Sequence, residues 1–153
     1  MNKRYEIFAD YFQFYLRDEG EQPHAPTDYT DEDINRRIKV APFVIVIQPA
    51  RNMTVPVEVE VAEASPTLAF DRWDHVAEAS IDLPSGRLEI HECTGESIDV
   101  LSVLPGAYRA RAYFGGLNTL SDDGLDRDDQ YRIILWPAPF APVEVLKQYE
   151  DPR

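Results

Sequence analysis

The sequence predicts an all-β protein: an antiparallel, jelly-roll-like β-sandwich of about eight to ten strands with one short helix near residues 31–38. Three observations carry this. Apolar residues recur in short runs, alternating as in TVPVEVEVA (54–62) or continuous as in PFVIVIQPA (42–50), the patterns of half-buried and fully buried strands. Twelve prolines punctuate the chain, too many for long helices. A helix start and end occur together once, in TDEDINRRIK.

Taken in order, RYEIFADYFQFYL (4–16) is rich in β-favouring aromatic residues. As a strand it places Phe8, Phe12, Phe14 and Leu16 on one face, with the tyrosines and Ile7 on the other. In TDEDINRRIK, Thr30 is the N-cap, acids fill the first turn, and Arg36, Arg37 and Lys39 follow at the end, the order that complements a helix dipole. Residues 42–50 form a buried strand. In 54–62, Val55, Val57, Val59 and Val61 point inward and Glu58 and Glu60 outward, with Pro56 near the start or on an edge. HVAEASIDLPSGRLEIHEC (75–93) reads as a hairpin, with a type I turn from Leu83 through Pro84 to Gly86. Residues 97–116 read as two strands around Pro105-Gly106, 130–139 as another and 142–149 as a last one.

The chain of 153 residues is expected to form a single β-sandwich domain, since a chain this long buries roughly 68–70% of its unfolded surface. No apolar run approaches the ~20 residues of a membrane span. The opening MNKRYEIFADYFQFYLRDE lacks the apolar core and cleavage site of a signal peptide. Cys93 is the only cysteine. These features fit a cytoplasmic protein.

The net charge is −13, unevenly spread. Residues 18–33 carry seven acids and no Lys or Arg, and residues 121–130 carry five Asp against Arg127, so two segments hold −11 of the total. A phosphate-binding surface needs the opposite sign. Direct nucleic-acid binding is therefore not expected, whereas a basic protein partner or a cation is permitted.

SDDGLDRDDQ (121–130) has three readings. As a calcium loop it offers hard oxygen ligands, but its spacing does not match an EF-hand and no Glu closes it. As a turn it needs no function beyond solubility. As a protein-binding patch it would be ordered by arginines: Arg109 and Arg111 share a strand face with Tyr113, and Arg132 shares one with Ile134 and Trp136, so paired strands could set an arginine row beneath the aspartates. The simpler alternative has these arginines on a solvent-facing sheet. In DYTDEDINRR, the acids Asp31, Glu32 and Asp33 have a helix-dipole explanation, and Tyr29 beside them suits an interface. The candidate partner-binding residues are Tyr29, Asp31, Glu32, Asp33, Asp122, Asp123, Asp126, Asp128 and Asp129. The two segments, about ninety residues apart, are expected to share one end of a sandwich.

Catalysis finds little support. His91 and Cys93 lie two apart, but the nearby Glu89, Glu92 and Glu96 disfavour a thiolate. His24, His75 and His91 have no metal-ligand spacing. No nucleophile elbow, phosphate-binding loop or zincin motif is present. The expectation is a protein without catalytic residues, metal site or cofactor. The alternative is a calcium- or carbohydrate-binding β-sandwich module.

Three segments in order, YFQFYL, TDEDINRRIKVAPFVIVIQPARNMTVPVEVEV and LPGAYRARAYFGG, resemble the competence-type nuclease inhibitors (the ComJ or Nin family), or a related family of bacterial immunity proteins. The resemblance implies a non-enzymatic acidic protein that neutralises a basic nuclease or toxin. It carries no contact residue onto a position of this chain.

Overall fold

The computed structural model of the protein describes residues 1–119 and 128–150. The strands in chain order are β1 (Asn2–Phe8), β2 (Phe14–Asp18), β3 (Ile38–Ala41), β4 (Val44–Ile47), β5 (Thr54–Val61), β6 (His75–Leu83), β7 (Arg87–Glu92), β8 (Ser97–Ser102), β9 (Gly106–Gly115), β10 (Gln130–Pro137) and β11 (Glu144–Lys147), with one helix, α1 (Asp31–Arg36). They form a six-stranded sheet, β1-β5-β10-β9-β6-β11, and a five-stranded sheet, β3-β4-β2-β7-β8. This is the expected all-β sandwich with one short helix, one strand richer than anticipated. The described pairings are antiparallel except β5 with β10, which is parallel.

The core lies between the sheets. Val55, Val57 and Val59 of β5, Ile133 and Leu135 of β10, and Ala110, Ala112 and Phe114 of β9 meet Phe14 and Leu16 of β2, Ile45 and Ile47 of β4, and Leu88 and Ile90 of β7. Period-two alternation brings each set to one face, and full burial of each large side chain stabilises by about 1.5–3 kcal/mol. The clean alternation of β5 follows the expected pattern. All four residues of β4 are buried, as its unbroken apolar run requires. The pairing of β5 with β10 begins at Val57, just after Pro56, whose missing N–H therefore leaves that ladder intact.

Three local expectations are corrected. The run 4–16 is not one strand. It breaks at a 3₁₀ turn (Asp10–Phe12), which carries the chain from β1 in one sheet to β2 in the other. Tyr11 and Phe12 both have left-handed φ, 57° and 58°, and this corner ends the alternation. Phe14 and Leu16 are buried, but Phe8 and Phe12 are exposed and Ile7 faces the core instead. Residues 75–93 contain the expected turn, in which Gly86 N–H donates to Leu83 C=O at 3.1 Å. That turn joins strands of different sheets rather than a hairpin. It is pinned by buried Asp18, which accepts hydrogen bonds from Ser85 N–H and Oγ–H. Turn chemistry specifies a local reversal but not which sheet receives the next strand. Residues 97–116 likewise cross between sheets.

The outer face of the six-stranded sheet is also covered. Arg109 and Arg111 are 5% and 2% exposed, so they do not lie on open solvent, and the aspartates expected above them fall mostly outside the described residues. Both reach Glu78 of β6, Arg109 Nε to Oε1 at 3.0 Å and Arg111 Nε to Oε2 at 2.7 Å. The carbonyls of Pro66, Ala141 and Pro142 and the hydroxyls of Ser80 and Tyr113 accept further N–H groups from the two guanidiniums. The Arg111 guanidinium lies 5.1 Å from the Trp136 ring centroid. Two buried cations against one carboxylate persist because carbonyls and ring faces supply the missing negative potential. Arg132 pairs with Glu60 at 2.7 Å.

Candidate functional site

One end of the sandwich gathers α1 and, of the 121–130 segment, the described residues Asp128 and Asp129. There β1 ends and β2 begins, β4 ends and β5 begins, and β9 turns toward β10. The helix α1 sits at the same end because its last turn is tied to β6. Buried His75 Nε2–H donates to Arg36 C=O at 2.7 Å, while its Nδ1 accepts from Tyr149 N–H at 3.1 Å. That pair of bonds requires the neutral Nε2–H tautomer. Burial, together with the nearby Arg37 charge, lowers the His75 pKa to about 4, against an opposing hydrogen bond to Arg36.

A buried relay runs from this histidine to the other segment. The His75 ring meets Phe114 edge-on at 5.2 Å, and Phe114 meets Tyr131 edge-on at 5.6 Å. Tyr131 O–H donates to Asp129 at 2.6 Å and its oxygen accepts from Ala50 N–H at 2.9 Å. Arg51 Nη2 closes on Asp129 Oδ1 at 2.8 Å. α1 and Asp129 thus rest on one set of buried contacts, although they are distant in sequence.

The candidate residues divide by what holds them. Asp31 and Glu32 are exposed on α1, Glu32 pairing with Arg36 four residues on. Asp33 turns back into the helix. It accepts from Lys39 Nζ at 2.7 Å and from Thr30 N–H at 2.9 Å, while Thr30 Oγ1 accepts from Asp33 N–H, a complete capping box. The Lys39 hydrogen bond, aided by the Thr30 N–H, lowers the Asp33 pKa despite partial desolvation. Tyr29 is half-buried, with Lys39 Nζ 5.3 Å from its ring centroid, and burial pushes its phenol up to about 12. Asp128 is exposed and anchored by its N–H to Thr119 Oγ1 at 2.8 Å. Asp129 is 2% exposed, so its side chain is a structural anchor rather than a contact group. Asp122, Asp123 and Asp126, with most of the calcium-loop candidate, lie outside the described residues. Gly116, which enters the turn with φ +66°, is obligatory there, because a Cβ would stand 2.1 Å from Asp128 C=O.

The acidic run 18–33 does not act as one unit. Asp18 and Glu19 lie at the opposite end, on the Ser85 and Arg87 turn. Cys93 receives the Tyr15 O–H hydrogen bond at 3.0 Å, and His91 Nδ1 meets Glu92 C=O at 2.6 Å, so they do not face each other as a catalytic pair. Among the described residues no group of three or more His, Cys, Asp or Glu is arranged to hold a metal, and no helix is long and apolar enough to cross a membrane.

A feature not foreseen from the sequence lies beside α1: an apolar groove of about 240 Å³ lined by Tyr11, Phe12, Gln13, Tyr29, Ile34 and Gln48. Tyr11, Phe12 and Ile34 are 67%, 48% and 55% exposed. The left-handed corner that presents the two aromatics is held by Tyr11 N–H donating to Asn52 Oδ1 at 2.9 Å and by Thr94 Oγ1–H donating to Asp10. Such conformations cost of order 1–3 kcal/mol each and concentrate at functional sites. Gln48 is 8% exposed and its Nε2 has no hydrogen-bond partner, a deficit of about 1–3 kcal/mol. Asp10 in an aromatic run was the available sequence signal for the corner.

The arrangement of the two sheets is shared with a solved protein. The crystal structure of ComJ, inhibitor of the DNA degrading activity of NucA, from Bacillus subtilis, aligns over 90% of this chain and 96% of that one, at 16% identity and a TM-score of 0.66. The fold is ComJ-like. A second structure, described as crocagin biosynthetic gene J, aligns over 91% of this chain and 99% of its own at 22% identity and a TM-score of 0.58. No family model matches the chain, and no curated protein matches it significantly in sequence. At these identities the likeness is one of architecture, and it bears out the ComJ-like resemblance at the level of fold.

Proposed function

We propose that this protein is a non-enzymatic acidic binding protein that neutralises a basic protein partner, a nuclease or nuclease toxin, in the cytoplasm, as a single β-sandwich domain. The observation that carries the reading is the ComJ-like fold over nine-tenths of the chain, joined to a net charge of −13. Nucleases bind phosphate through basic clefts, and carboxylates on an inhibitor can occupy such a cleft. Complementary charge speeds encounter and selects the partner. The contact residues proposed are Tyr29, Asp31, Glu32 and Asp128, with the aspartates of 121–127. Asp33 and Asp129 support them from beneath.

The test is affinity capture from the native cell, followed by a DNA-degradation assay of any captured nuclease with and without the purified protein. Stoichiometric inhibition is expected, weakened by the charge reversals Asp31→Lys and Asp128→Lys through slower association with a shallower salt dependence. A captured nuclease that cleaves DNA undiminished at stoichiometric excess would overturn the reading.

A further inference from the structure

We propose that the groove beside α1 takes a single apolar side chain, aromatic or branched aliphatic, from a basic polypeptide segment of the partner, with flanking lysine or arginine meeting Asp28 and Asp31. This deepens the acidic-inhibitor reading and rests on it for the identity of the partner as a basic protein.

The groove is a built feature. Its aromatic wall stands on two consecutive left-handed residues, Tyr11 and Phe12, at a corner fixed from three sides by Asp10, Asn52 and Thr94. Three of its large apolar side chains are substantially open to water, and exposed apolar groups that cluster mark interaction sites. Its volume of about 240 Å³ has room for one large side chain. Gln48 lines it, 8% exposed, and its amide Nε2 is buried beneath the groove without a hydrogen-bond partner among the described residues.

Charge selects the occupant. Asp31 lies one helical turn before Ile34 and shares its face, and both are exposed. Asp28 adjoins Tyr29 and is close enough to act on its phenol. Both carboxylates are exposed, and neither has a hydrogen-bond or ion-pair partner among the described residues. The nearby cation Lys39 is already neutralised by Asp33. An apolar slot rimmed by free carboxylates disfavours an anionic lipid surface or an acidic peptide and favours an apolar residue between cations.

The test uses the full chain, isotope-labelled for NMR, titrated with three capped heptapeptides: Gly-Lys-Arg-Phe-Arg-Lys-Gly, the same with Ala for Phe, and the same with Glu for every Lys and Arg. The Phe peptide is expected to shift the resonances of Tyr11, Phe12, Tyr29, Ile34 and Gln48 saturably and more weakly at high salt. The Ala peptide should bind about tenfold or more weaker, the loss expected for one apolar side chain withdrawn from burial, and the Glu peptide should not bind. Ile34→Ser, at an exposed position that leaves the core intact, should weaken the Phe peptide and leave the Ala peptide unchanged. If Phe and Ala peptides bind alike, or Ile34→Ser leaves the Phe peptide's affinity intact, the groove proposal is overturned while the acidic-inhibitor reading stands. Absence of binding by the Phe peptide also overturns it. Binding in the groove by a protein that fails to inhibit its captured nuclease would sink the inhibitor reading and leave the groove.

Discussion

Acidification should undo the anchor of α1 through one residue. His75 is fully buried, and its ring bridges Arg36 C=O and Tyr149 N–H only when neutral. Its pKa falls from 6.5 to about 4 on folding, chiefly because burial disfavours the imidazolium. The folded state therefore binds this proton more weakly than the unfolded state does. The stability it contributes is complete above about pH 6.5 and drains as the pH falls toward 4. Between pH 7 and pH 4 the linked loss is about 3 kcal/mol, a large share of a typical folding stability. Asp33, Glu89 and Asp99, whose pKa values are lowered in the fold, add losses at the acidic end, so the histidine must be isolated by difference. Urea unfolding of wild type and His75→Gln at pH 7, 6, 5 and 4 does this. The variant is less stable at pH 7, where it lacks the ring contact with Phe114, and the gap should narrow by about 3 kcal/mol on reaching pH 4. Parallel stability curves for the two proteins would refute the reasoning.

Other substitutions probe the remaining supports. Glu78→Gln leaves buried Arg109 and Arg111 without a carboxylate and should cost about 3–5 kcal/mol, seen as a melting temperature lower by about 10 °C. Asp129→Ala removes the buried carboxylate that Arg51 and the Tyr131 hydroxyl both contact and should cost about 3 kcal/mol, whereas exposed Asp128→Ala should stay within about 0.5 kcal/mol. Equal effects in chemical denaturation would contradict their assigned burial. Gly116→Ala combines a left-handed φ with a 2.1 Å approach to Asp128 C=O and should destabilise by more than about 1 kcal/mol, measurable by the same unfolding curves.

The local features of the chain were legible in its residues. Alternation in 54–62 and the unbroken run 44–47 specify strands because side-chain direction has period two and burial follows it. The Thr30 cap and the acids behind it specify a helix start because they satisfy orphan N–H groups within four residues. Even the Leu83–Gly86 turn could be read, since its chemistry is local. Sheet membership could not. The connections at 9–13, 84–86 and 103–105 each cross from one sheet to the other, and that choice depends on which long-range partner buries each strand. For the same reason the arginines of β9 could be placed on one face but not paired: Glu78 lies 31 and 33 residues away from them and only the ladder of β6 with β9 brings it across. Asp128 and Asp129 look alike in sequence, yet one is exposed and the other is held by Arg51 through a contact spanning 78 residues. The sequence determined where negative charge is concentrated; tertiary packing decided which carboxylates remain at the surface, and it alone brought Tyr11, Tyr29, Ile34 and Gln48 to one groove, because burial and pairing are settled by neighbours that are distant along the chain.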